Sequence, residues 1–282
     1  MTAGAGIGRR HPTLLASGRV TLHHAAGVGS QRAAGLYERS RPSYPMAALA
    51  ALADALPLQA GRTAVDLGAG TGKFTRLLAL TGAEVLAVEP VQEMRERLAA
   101  LLPGVVVTAG TAEATGLPDG CADAVVAAQS WHWFQETDAL DEVERLLRPG
   151  GALALVWNTY DTSVPWVRDF QDIFFRLAPH DLPSPPLASG IGDPDNRWRR
   201  SFEGRPGWGR VHERHWPNPH STTVEDVVER MMSSSHIAVL DAAEQERVRA
   251  DLESLLGAHE PTRRGGDIEM PYMTDVYWVR HR

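Results

Sequence analysis

One cysteine, Cys121, stands in 282 residues. This excludes an intramolecular disulfide and any zinc site built from several thiolates, and it points to a reducing compartment, by default the cytoplasm. Long apolar runs are also missing, so no membrane span, signal-peptide core or membrane partner is expected. Positive charge is nowhere concentrated: the formal charge is -7 and the basic residues are dispersed, so nucleic acid is disfavoured as a partner. Neither internal repeats nor low-complexity tracts interrupt the chain.

The composition that remains is that of an ordinary globular enzyme, with 43% hydrophobic and 22% charged residues. The length favours one large α/β core with an appended cap over two modest domains. Residues 1–28 read as a mobile arm, the alternative being a lid or swapped segment that completes a dimer; monomer and homodimer both stay open. Residues 29–282 read as a single domain, with cap helices over 29–60, a ligand-binding core over 61–160, and a lid or substrate region with the final strands over 161–282.

Within the core, short apolar runs alternate with helical patterns, the signature of a doubly wound, mostly parallel sheet. Strands are expected over 63–67, 84–89, 105–109, 122–128 and 152–157. Between them Thr71 should cap a helix carrying Phe74, Leu77 and Leu78. A second helix carries Val91, Met94, Leu98 and Leu101, and a third carries Leu140, Val143 and Leu147 and is stopped by Pro149-Gly150-Gly151. Further on come a helix with Trp166, Val167, Phe170, Ile173 and Phe174, a Pro/Gly/Asp-rich lid or insertion over 179–206, a strand over 211–216, helices over 224–232 and 241–256, and a last strand over 275–279.

The strongest local signal is Val65-Asp66-Leu67-Gly68-Ala69-Gly70-Thr71-Gly72, where a strand passes into a helix. Alternate glycines allow close backbone approach, and the following helix offers free N–H groups, so a nucleoside-like ligand belongs there. A dinucleotide fold uses a similar turn, but Lys73 occupies the third glycine position of that fingerprint. Glu89, ending the second strand, stands where an acid accepts hydrogen bonds from both ribose hydroxyls.

Asp66-x-Gly68-x-Gly70-x-Gly72, Val88-Glu89-Pro90, Gly110-Thr111-Ala112-Glu113 and Leu147-Arg148-Pro149-Gly150-Gly151 together resemble the successive motifs of class I S-adenosylmethionine-dependent methyltransferases. Tyr37-Glu38-x-x-Arg41-Pro42-x-Tyr44-Pro45, Gln129-Ser130-Trp131-His132-Trp133-Phe134 and the C-terminal Pro271-Tyr272 strand are similar to its small-molecule branch, which includes trans-aconitate-type enzymes. The resemblance implies a seven-stranded Rossmann-like methyltransferase sheet and S-adenosylmethionine as cofactor. It places Gly68, Ala69 and Gly70 along the methionine and ribose, with Asp66, Thr71 and Gly72 in the same turn and Gln129 at the end of the fourth strand. Glu89 would lie on the ribose hydroxyls, and Pro90 and Met94 beside the adenine. Ala112 would offer its N–H to the adenine, with Thr111 where an aspartate is common and Glu113 as its substitute. Tyr37 and Arg41 would sit over the methionine end.

Methyl transfer from a sulfonium needs alignment and exclusion of water, not a metal. His132 is the candidate general base, the other reading being a wall residue packed between Trp131 and Trp133; Glu38, with adjacent Tyr37, is the second candidate, the other reading being a surface acid. Trp131, Trp133, Phe134, Asn158 and Tyr160 mark the rim of the substrate pocket, with His236 and Tyr272 as further pocket residues; the aromatics could equally be core. His212-Glu213-Arg214-His215 lacks the spacing of a zinc helix, so no metal is expected. The acceptor is a small molecule, an aromatic one being among the options, and O-, N- and C-methylation stay open. An NAD-dependent oxidoreductase and a non-catalytic cofactor-binding regulator are the alternatives.

Overall fold

The computed structural model describes residues 41–177, 197–202, 204–233, 237, 240–259, 261–263 and 265–282. The expected arm over 1–28 and the candidates Tyr37, Glu38 and His236 lie outside these residues.

Five parallel strands form the centre of the sheet: β1 (Thr63–Leu67), β2 (Glu84–Val88), β3 (Val106–Thr108), β4 (Ala122–Ala128) and β5 (Leu147–Tyr160). After β6 (His212–Pro217) and a short pair, β7 (His220–Thr223) with β8 (Asp267–Met270), the chain ends in β9 (Tyr272–Arg280). β9 inserts antiparallel between β5 and β6, giving a seven-stranded sheet in the order β3-β2-β1-β4-β5-β9-β6. The mostly parallel, doubly wound sheet expected from the sequence is therefore present. All five residues of β1 and the first six of β4 are buried, which explains their continuous apolar character: helices cover both faces.

On one face α1 (Met46–Ala55) and α2 (Lys73–Leu80) bury Leu49, Leu52, Phe74 and Leu78 against Ala64, Val126 and Val156. On the other, α4 (Glu136–Leu146) buries Leu140, Val143 and Leu146 against Val65, Val125 and Leu153. Helix α3 (Gln92–Leu101) touches the core through Leu98, whereas Leu101 is exposed.

Several local expectations are corrected. Gly72, in the left-handed region, and not Thr71 occupies the helix N-cap, because the turn needs φ +87° there. Leu147 begins β5 instead of ending the third helix, and Pro149-Gly150-Gly151 lies within that strand, since pairing of Ala122 with Leu147 captures it. At the described end of the 179–206 stretch, α6 (Arg197–Arg200) and its exit bury Trp198 and Phe202 in the core beside Trp157 and Tyr277. The β7–β8 pair was not foreseen.

A separate apolar cluster joins α5 (Pro165–Leu177), α7 (Val224–Met232), α8 (Ala242–Ala258) and the β7–β8 pair. Its foot is Tyr160, the last residue of β5, and Tyr272, paired with it across the sheet. The cluster therefore caps the carboxyl end of the parallel strands, where open α/β sheets bind ligands.

Candidate cofactor and acceptor site

The turn after β1 is made by Gly68, Gly70 and Gly72 at φ +66°, +57° and +87°, a region that an L side chain occupies at a cost of about 1–2 kcal/mol. Each glycine has its own neighbourhood. A Cβ on Gly68 would lie 2.7 Å from Ser130 Cβ, and one on Gly72 would lie 2.9 Å from Leu98 Cγ. At Gly70 the same atom meets nothing nearer than Met94 Sδ at 4.0 Å, so room for a ligand opens there. Gly68 and Ala69 donate their N–H groups to Val88 O, binding the turn to the end of β2.

Glu89 follows β2 and is 4% exposed. Its Oε2 accepts from Gly70 N–H at 2.8 Å and its Oε1 from Val91 N–H at 2.9 Å. Burial pushes its pKa up, against the opposing pull of those two N–H groups and of the Arg95 charge. Asp66 lies beneath the turn; Oδ2 accepts from Thr75 Oγ at 2.6 Å, while Oδ1 is buried without a partner. Burial pushes the Asp66 carboxyl up to about 7, with Thr75 opposing and Glu89 adding to the rise. Two buried acids behind an open glycine turn suit a cationic, nucleoside-bearing ligand, and these residues fit S-adenosylmethionine.

Pro90 and Met94 stand beside this opening, half-buried. Across from them Thr111 bridges Ala114 through paired backbone hydrogen bonds, with Ala112 buried between. The Glu113 carboxylate accepts from Gln135 N–H at 2.8 Å, so it holds the entry to α4. At the end of β4, Gln129 takes φ +56°, the only such non-glycine among the described residues; its Nε2 donates to Asn158 O at 2.7 Å. Ser130 Oγ donates to Leu67 O at 2.7 Å and packs on Gly68. Nothing local in the sequence marks Ser130 for this contact, which joins residues 63 apart.

Residues Trp131–Trp133 form one 3₁₀ turn that splits the aromatics. Trp131 is 1% exposed and belongs to the core, while Trp133 is 46% exposed. The His132 ring lies against Trp133, and its Nδ1 faces the Trp157 indole N–H at 3.5 Å. Burial, helped by the Arg41 charge, pushes its pKa down to about 3, so the imidazole is neutral.

On the cap side Tyr160 stacks on Tyr272 with centroids 4.8 Å apart, and the guanidinium of Arg230, from α7, lies over both rings and donates to the Tyr272 hydroxyl. Burial pushes the Tyr272 phenol well up. Asn158 is buried, with its amide fully engaged: Nδ2 donates to Ser43 O, and Oδ1 accepts from Thr274 and Asn218. Arg230 and Asn218 carried no local sequence signal, because only long-range folding brings them to β5.

Sheet order, glycine turn and buried acid define a class I S-adenosylmethionine-dependent methyltransferase. The family described as a methyltransferase domain matches residues 65–155. An uncharacterized methyltransferase of Mycobacterium tuberculosis (strain ATCC 25618 / H37Rv) is 37% identical over 86% of this chain and 91% of its own length. An uncharacterized methyltransferase-like protein of Schizosaccharomyces pombe is 34% identical over 86% of this chain and 91% of its own. A trans-aconitate 2-methyltransferase of Methylobacterium radiotolerans is 32% identical over 56% of this chain and 55% of its own. Among solved structures, the YcgJ protein of Bacillus subtilis shares the fold at a TM-score of 0.55 and 17% identity, covering 84% of this chain and 99% of that one. The chain belongs to the methyltransferase family, which sets the oxidoreductase alternative aside. No helix among the described residues is long and apolar enough to cross a membrane.

Proposed function

We propose that the chain moves a methyl group from S-adenosylmethionine to a small organic acceptor held between the glycine turn and the cap. The observation that carries this reading is the Glu89 carboxylate, buried at the end of β2 and hydrogen-bonded to Gly70 N–H. Each oxygen keeps a second lone pair for a ribose hydroxyl. Gly68, Ala69 and Gly70 line the path of the methionine and ribose, Pro90 and Met94 flank the base, and Ala112 offers it backbone. Asp66, Thr71, Gly72 and Gln129 hold the turn and its far wall, and Thr111 and Glu113 support the loop around Ala112.

When bound, the cofactor supplies an electrophilic methyl on a sulfonium. The chain aligns the acceptor against it and excludes water. Trp133, Tyr160 and Tyr272 form apolar walls, while Arg41 and Arg230 add positive charge beside them. His132 is a wall and a hydrogen-bond donor in this reading. Its Nδ1 faces the Trp157 N–H, which leaves the proton on Nε2, and a group titrating at about 3 is a weak base.

Calorimetric titration with S-adenosylhomocysteine tests the cofactor site: wild type binds, and Glu89→Gln weakens binding about 10–100-fold. A methyl-transfer screen over aromatic, carboxylate and amine acceptors, read by S-adenosylhomocysteine release, tests the chemistry. Silence from every class would favour a non-catalytic binding protein.

A further inference from the structure

Lys73 breaks the glycine spacing of a dinucleotide turn, and the cofactor reading above gives it no task. Its ammonium donates to Arg41 O at 2.6 Å. The next two carbonyls of the same segment are held from other elements. Asn158 Nδ2, near the end of β5, donates to Pro42 O at 3.4 Å and to Ser43 O at 3.0 Å. Asn218 Nδ2, one residue past β6, donates to Ser43 O at 2.7 Å.

Three consecutive carbonyls thus meet side-chain donors from three elements that share only the carboxyl end of the sheet. Water is the usual partner of loop carbonyls, so this convergence needs a cause. The amides are themselves fixed: Asn158 Oδ1 accepts from Thr274 Oγ at 2.5 Å and from Asn218 at 3.1 Å, and Asn218 N–H donates to Tyr272 O at 2.7 Å. One end of the grip adjoins Gly72, the last glycine of the turn. The other end reaches the tyrosine pair of the acceptor wall. Arg41, held at the Lys73 end, carries a charge that acts on both His132 and Tyr272.

We propose that Lys73, Asn158 and Asn218 are positioning residues that clamp the backbone of residues 41–43 across the crevice, so that occupation of the glycine turn is transmitted to Arg41 on the acceptor side. The transmission rests on the cofactor reading above; the clamp itself does not. Because α2 starts at Lys73, any shift of the turn moves its ammonium and the carbonyl it holds. The coupling is reciprocal: a ligand that orders the turn orders the segment, and an ordered segment favours the ligand.

The test uses the full chain with Lys73→Met, Asn218→Ala and Lys73→Arg, compared with wild type by far-ultraviolet circular dichroism to confirm folding. Amide hydrogen exchange over residues 43–49 of the ligand-free proteins is expected to accelerate about tenfold in Lys73→Met and Asn218→Ala and to return toward wild type in Lys73→Arg. The His132 ring, followed by NMR, is expected to titrate at higher pH in the first two variants, as in Arg41→Ala. Adding S-adenosylhomocysteine slows exchange over 43–49 in wild type and has a smaller effect in Asn218→Ala. Unchanged exchange and unchanged His132 titration in both variants overturn the clamp. Wild type that fails to bind S-adenosylhomocysteine overturns the cofactor reading and, with it, the transmission.

Discussion

The glycine-turn half of the crevice and the cap half are held in different ways. In the first, partners are close along the chain: Asp66 and Thr75 are 9 residues apart, Gly70 and Glu89 are 19. In the second, Asn158 meets Thr274 at a separation of 116 and Asn218 meets Ser43 at 175. The cofactor half is therefore mainly a product of backbone conformation within one βαβ unit, with Ser130 as a long-range prop. The acceptor half exists only once β5, β6, β9 and the segment before α1 have come together. On the proposed function, damage to the first half is expected to remove ligand binding, and damage to the second to loosen docking and alignment.

Gly68→Ala should strike the first half hardest. Its methyl group would press on Ser130 in a left-handed backbone conformation, and S-adenosylhomocysteine affinity is expected to fall by about 100-fold or more, read by calorimetry. Retained affinity would show that the turn tolerates displacement and is not the grip described.

Asp66 gives the next effect. Its folded pKa of about 7 exceeds the ordinary carboxyl value of 3.8, so above the lower value the unfolded chain ionises more readily than the folded one. Stability is full at low pH and drains between about pH 4 and 7, by an amount on the order of 4 kcal/mol. Asp66→Asn should flatten that slope in denaturant titrations at pH 5 and pH 8. Binding of the cationic cofactor should strengthen as the pH rises through about 7 in wild type alone, because only there does the folded protein ionise Asp66.

His132 separates wall from base. His132→Asn is expected to lower turnover by no more than about tenfold, with no break in the pH–rate profile near pH 6–7. A loss of 100-fold or more together with such a break would restore the base role.

The smallest effect belongs to the cap. Tyr272→Phe removes the hydroxyl that Arg230 reaches, and a loss of about 1 kcal/mol in unfolding free energy is expected, with cofactor affinity unchanged.

The strands around the glycine turn were legible because buried parallel strands are apolar throughout: β1 and β4 begin and end where the alternating pattern put them. Glu89 was legible because its distance from the turn follows from one strand, one turn and one helix. The helix expected to run through Leu147 was shortened by sheet pairing, a contact that no window of sequence contains. Trp131 and Trp133 are two residues apart and chemically identical. Only the 3₁₀ turn sends one into the core and leaves the other exposed.

From its residue order alone this chain specified a parallel sheet, a glycine turn after its first strand and an acid at the end of its second, since each depends on backbone geometry within a short span. The protonation of Asp66 and His132, the engagement of Asn158 and the grip of Lys73 on Arg41 were decided by tertiary structure. Burial and long-range pairing set the cost of a charge and the partner of an amide, and both arise only when distant segments close around the same space.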